Sequence, residues 1–193
     1  MFIRGSLVFG RGVAALCNPW FHIIVSKVIR VLGVDTSLRS TGVGVVDAVG
    51  SNYKAVTWGT IKNPAARAHT ACLAHLFEQV REIIQRDKPE AAAVEGIFFS
   101  KNVRTAVTLG QARGVVLAVC ALERVPVFEY SPRSVKQSVV GNGNAHKEQV
   151  ARMVMVLLGL KEEPKEDAAD ALAMALCHLH HHGRPELSKS KAI

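Results

Sequence analysis

The chain has 193 residues, of which 49% are apolar and 21% charged, with 15 Gly, 7 Pro and 4 Cys. That is enough length for one sizeable core, and the composition excludes a disordered tail protein, a collagen-like chain and a disulfide scaffold. The formal charge of +8 suits a polyanionic partner, but Arg4, Arg11, Lys27 and Arg30, with no acid among residues 1–30, hold half of it.

Residues 1–27 read as an irregular basic extension, expected to be poorly ordered. Gly5, Gly10, Arg11, Gly12 and Pro19 interrupt its apolar stretches, and no small-residue cleavage site follows. The organised domain is read as residues 28–183, with a polar tail over 184–193. Cys17, Cys72, Cys120 and Cys177 form no Cys-x-x-Cys pair, which fits free thiols in a reducing compartment. No uninterrupted apolar run reaches the roughly 18–20 residues of a bilayer span. The expected location is the cytoplasm.

Residues 28–35 (Val-Ile-Arg-Val-Leu-Gly-Val-Asp) predict a strand that ends in a carboxylate. Residues 42–47 and 53–61 predict two more, joined by a turn at Val49-Gly50-Ser51-Asn52, so the first part is a β-meander. Asn63-Pro64 predicts a helix start. Leu73, Leu76, Phe77, Val80, Ile83 and Ile84 then supply an amphipathic stripe, which Asp87-Lys88-Pro89 stops. Residues 91–95 predict a short strand, again ending in a carboxylate, and 101–124 a long, mostly buried helix. A strand over 126–130 follows, then a short helix opened by Ser131-Pro132 and a loop at Gly141-Asn142-Gly143-Asn144. Helices are predicted over 146–158, capped by Gly159, and over 166–181. The pattern is α/β: a mixed sheet flanked by helices.

Four acids stand where chemistry gathers. Asp35 and Glu95 each close a strand, and ligands collect at the carboxyl ends of parallel strands. Asp167 and Asp170 lie three apart at a helix start and share a face. Singly, each is an ordinary turn or helix-start acid. Brought together they would repel one another strongly without a cation, and an oxygen-only set suits Mg²⁺ or Mn²⁺.

Six blocks carry a family resemblance: Leu32-Gly33-Val34-Asp35 with Thr41-Gly42-Val43-Gly44; Val94-Glu95-Gly96-Ile97-Phe98; Leu109-Gly110-Gln111-Ala112-Arg113-Gly114; Val127-Phe128-Glu129-Tyr130; Val135-Lys136-Gln137 with Val139-Val140-Gly141; and Asp167-Ala168-Ala169-Asp170-Ala171-Leu172-Ala173. In order and spacing the chain resembles the RuvC-type Holliday-junction resolvases from about residue 28 to 182. The resemblance implies a ribonuclease-H-like fold with a mixed five-stranded sheet. It implies a homodimer that nicks two opposing strands of a four-way DNA junction, with Asp35, Glu95, Asp167 and Asp170 as metal-binding catalytic carboxylates for two Mg²⁺ ions. It further implies 5′-phosphate and 3′-hydroxyl products and a branch-migration helicase complex as partner. Two positions depart from the family pattern. Asp35-Thr36-Ser37 replaces Asp-Pro-Gly, where the Ser37 hydroxyl is expected to make a local bond, and Gly96 stands where Gln is common.

The resemblance assigns Lys136 and Lys147 to DNA contact near the acids and Phe98 to the junction core, where an aromatic face can stack on a base. Arg104, Arg113, Arg133 and Arg152 are weaker additions from neighbouring charge. Phe99 is expected in the core. Gly110 and Gly114 form a small-residue stripe that suits either a subunit contact or internal packing. His178, His180, His181 and His182 are read as an exposed, incidental tract. Other readings are an RNA-processing nuclease on the same fold, an actin-like ATP module, which lacks a second phosphate loop, and a non-catalytic junction binder, disfavoured by the four acids.

Overall fold

Strands β1 (Ile29–Asp35), β2 (Ser40–Val49) and β3 (Asn52–Lys62) form the expected antiparallel meander. Its second turn, between β2 and β3, places Gly50 at φ +60°, a left-handed conformation natural to glycine. The structure is a computed structural model that describes residues 27–96, 102–182 and 192–193. All but Lys27 of the expected extension over 1–27, the segment with Phe98 and Phe99, and most of the tail lie outside those residues.

Helix α1 (His69–Asp87) buries Cys72, Leu76, Val80, Ile83 and Ile84, and Lys88 ends it at φ +49° by donating its amide to the Ile84 carbonyl. Strand β4 (Ala91–Glu95) runs parallel to β1, and β5 (Val127–Tyr130) parallel to β4. Between them lies α2 (Val103–Leu122); α3 (Pro132–Val140), α4 (Lys147–Leu158) and α5 (Glu166–His182) follow β5. The sheet order is β3-β2-β1-β4-β5. One face packs against α1 and α2, the other against α3, α4 and α5. The fold is thus a five-stranded mixed sheet with helices on both sides.

Two glycines decide how α5 sits. A Cβ at Gly33 would overlap the carbonyl oxygen of Ala171, and one at Gly42 the carbonyl oxygen of Asp167. With Ala168, Ala171 and Ala175 buried beneath it, the helix lies directly on β1 and β2, backbone against backbone. That contact carries its first turns to the end of the sheet where β1 and β4 finish.

Three expectations need correction. Asn63 does not cap α1. It is buried, its Nδ2 donates to the Leu38 and Cys72 carbonyls at 2.8 and 3.2 Å, and the helix starts six residues later. A buried amide that braces a loop against a helix uses the same hydrogen-bonding groups as a cap. Helix α2 is not mostly buried: Ala112, Arg113, Val116, Val119 and Cys120 are covered, while Val103, Val107, Leu109 and Leu122 are exposed. By length and composition it is also the one described helix apolar enough to cross a membrane, but here it packs on α1. Finally, His178 is core rather than surface. It is 4% exposed and its Nδ1 lies 2.9 Å from the Tyr130 hydroxyl.

Candidate active site

β1 and β4 are parallel neighbours in which Val34 pairs with Val94, so the next residues, Asp35 and Glu95, stand side by side at the strand ends. Asp170, on the second turn of α5, faces them, and all three line one cavity of about 180 Å³. Lys136 of α3 and Lys147, the first residue of α4, line the same cavity, with Val135, Val150 and Met174 as its apolar part. Asp167 sits one turn before Asp170, beyond the cavity lining but close enough to act electrostatically on Asp35. Its Oδ2 accepts a hydrogen bond from the Ser40 hydroxyl at the start of β2.

The charges in this cavity oppose one another. Burial pushes the Asp35 carboxyl up to about 7, with further upward pressure from Asp170, Glu95 and Asp167 and a smaller opposing pull from Lys147. Burial and then Asp170 raise Glu95, against Lys147 and Arg113; burial raises Asp170, against Lys147. The Lys147 ammonium donates to Glu166 at 2.6 Å and to Asp170 at 3.3 Å, and these carboxylates raise its own pKa. Lys136 and Lys147 do not balance three converging acids with Asp167 close by. The donor set therefore fits a hard divalent cation, which oxygen ligands hold and whose charge would relieve the repulsion. As they stand, no three His, Cys, Asp or Glu side chains among the described residues are gathered tightly enough to enclose an ion.

Several groups supporting the site carry no obvious sequence signal. Arg113, read above as a DNA contact, is buried: it donates to the Glu95 backbone carbonyl and pairs with the Glu129 carboxylate, tying α2 to the ends of β4 and β5. At the Asp35-Thr36-Ser37 turn, the local bond is made not by the Ser37 hydroxyl but by Thr41. Its Oγ1 donates to the Ser37 carbonyl and accepts from the Ser37 amide at 3.2 Å. Gly96 donates its amide to the Tyr130 carbonyl at 2.9 Å, which holds the chain as it leaves Glu95. Arg104, Arg133 and Arg152 are exposed, none of them on this cavity.

The family model described as crossover junction endodeoxyribonuclease RuvC matches residues 31–178. The RuvC of Syntrophomonas wolfei is 42% identical over 165 residues, covering 85% of this chain and 96% of its own length. That of Moorella thermoacetica is 47% identical over 149 residues, covering 77% and 89%. Among solved structures, T. thermophilus RuvC in complex with a Holliday junction substrate superposes with a TM-score of 0.79 at 36% identity, covering 86% of this chain and 99% of that one. A sheet of the same kind, a match spanning every described element from β1 to α5, and relatives at this identity leave one assignment: the chain belongs to the RuvC family of crossover junction endodeoxyribonucleases.

Proposed function

We propose that the chain is a structure-selective endonuclease that resolves Holliday junctions by paired, symmetric nicking of two opposing strands during recombination and repair. The observation that carries this reading is the convergence of Asp35, Glu95 and Asp170 on one cavity, with Asp35 pushed up to about 7. Asp35, Glu95, Asp170 and Asp167 would hold Mg²⁺, with Mn²⁺ as a substitute and two ions per site. When bound, the metal supplies a water of lowered pKa and offsets charge on the leaving 3′ oxygen, which suits 5′-phosphate and 3′-hydroxyl products.

The chain's own groups do the rest. The Ser40 hydroxyl fixes the orientation of Asp167. Lys136 and Lys147 border the acids and can meet the phosphates on either side of the scissile bond. Val135, Val150 and Met174 exclude water from one wall and so strengthen each electrostatic contact within. Phe98 is the candidate for stacking on an unpaired base. Paired nicking calls for two active sites. The outer face of α2, with Val103 and Val107 exposed and open space over Gly110 and Gly114, suits a second copy of the chain, which favours a homodimer. A branch-migration helicase complex is the partner that the family resemblance suggests, and the cytoplasm its place of action.

The test is cleavage of a synthetic mobile four-way junction with and without Mg²⁺, read on a denaturing gel. Wild type should give symmetric nicks only with the cation, and Asp35→Asn should bind the junction without cutting it. Equal cleavage by the two proteins, or preference for structured RNA over the junction, would overturn the reading.

A further inference from the structure

Helix α3 has a second working side. Lys136, Val135 and Pro132 face the carboxylate cavity, while Arg133, Ser134, Gln137 and Ser138 line a separate groove of about 900 Å³. The opposite wall of that groove is the β2–β3 turn with Tyr53 and the end of α5 with His181, and no Asp or Glu among the described residues lines it. Among the described residues, Arg133 is the one arginine there. Arg30, Arg81, Arg86 and Arg113 are each engaged by a carboxylate, whereas Arg133 is exposed and has no ion pair among the described residues. Its stem is seated closely over Gly143: a Cβ built there would come 2.7 Å from Arg133 Cγ. Gln137 braces the same loop, donating to the Gly141 carbonyl at 2.7 Å and accepting from the Gly143 amide at 3.0 Å.

We propose that this groove is a phosphodiester-binding surface that takes the DNA arm running from the carboxylate cavity across α3, with Arg133 as its principal phosphate contact. The inference rests on the junction-nuclease reading and adds to it a site outside the catalytic cavity. An arginine held by its stem presents a planar fork to phosphate oxygens, and the lack of an acidic neighbour among the described residues leaves that fork available. The hydroxyls of Ser134 and Ser138 add polar groups of the kind that position a backbone without reading bases. A helix is about 10 Å across and successive phosphates on a strand rise about 3.4 Å, so the wall between cavity and groove corresponds to about three nucleotides.

The experiment scans single uncharged methylphosphonate replacements along each strand of a four-way junction, measuring affinity by fluorescence anisotropy. It uses Asp35→Asn protein, so that the DNA stays whole, with and without Arg133→Met, which keeps the stem and removes the charge. With Arg133 present, one or two replacements about three nucleotides from the cleavage position should weaken binding about 3- to 10-fold. In the Arg133→Met protein the same replacements should cost nothing further, and the slope of log K against log salt should be shallower by about one. Identical scans and salt slopes in the two proteins would overturn the proposal. Failure of the underlying reading would look different: the Asp35→Asn protein would not prefer a four-way junction to duplex DNA.

Discussion

Helix α5 carries a titratable cluster at each end, and the two behave in opposite ways. At its start, Asp170 joins Asp35 and Glu95 at the carboxyl edge of the sheet, where burial and mutual repulsion raise the carboxyl pKa values. At its finish, His178 is enclosed between Phe128 and Tyr130, and burial, with His182 and His181 beside it, pushes it down to about 4. Desolvation acts identically in both places by favouring the neutral form. The difference lies in partners. The histidine meets a hydroxyl and aromatic rings that accept a neutral ring, whereas the acids meet more acids and keep a charge conflict that a cation can resolve. One end is settled by folding, and the other is held ready for a ligand.

The contrast can be broken by separating the helix from the sheet. Gly42→Val puts side-chain atoms where the Asp167 backbone lies, so α5 must lift and both ends lose their surroundings. The expected cost is about 3 kcal/mol or more, seen as a large drop in urea midpoint together with lost cleavage. Retained stability would mean that the close approach of helix and strand is not needed.

The next largest effect is on pH dependence. His178 has a folded pKa of about 4 against an ordinary value of 6.5. Between these the unfolded chain binds a proton that the native one refuses, so this contribution is present above about 6.5 and is lost as pH falls toward 4. It amounts to about 3 kcal/mol. Asp35 has the opposite sign: its folded pKa of about 7 exceeds the ordinary 3.8, so the metal-free protein loses stability as pH rises through that window. The two slopes offset each other in wild type. Removing one exposes the other: metal-free Asp35→Asn should lose stability on acidification from about pH 7 to pH 5 more steeply than wild type, by urea denaturation. Equal slopes would count against the raised Asp35.

A smaller effect sharpens the acidic end alone. Arg113→Met should lower the turnover of cleavage about 10-fold, leaving junction affinity within about twofold, because the arginine holds the Glu95 backbone rather than DNA. Arg113→Lys, which restores charge without the two-pronged geometry, should recover part of that loss. A fall in junction affinity with unchanged turnover would return Arg113 to the role of a DNA contact.

What was legible in the sequence divides along the same line. Apolar strands ending in Asp35 or Glu95, and a helix opened by Asp167 and Asp170, announce themselves through local pattern, and the sheet's carboxyl edge then brings the acids together. Asn63, Arg113 and His178 were misread for a shared reason. Each is a polar residue whose partner lies far along the chain (the Leu38 carbonyl, the Glu129 carboxylate, the Tyr130 hydroxyl), and local pattern says nothing of a distant partner. The exposed face of α2 was hidden for a related reason: apolar residues along a helix look alike whether they cover their own sheet or wait for another surface.

The most direct measurement is a carbon-13 NMR titration of the Asp35 carboxyl, with and without Mg²⁺. The cation-cradle account predicts an apparent midpoint near 7 in metal-free protein, shared with its acidic neighbours, and a midpoint displaced far downward once Mg²⁺ is added. A midpoint in the ordinary range near 3.8 that Mg²⁺ leaves unmoved would contradict it.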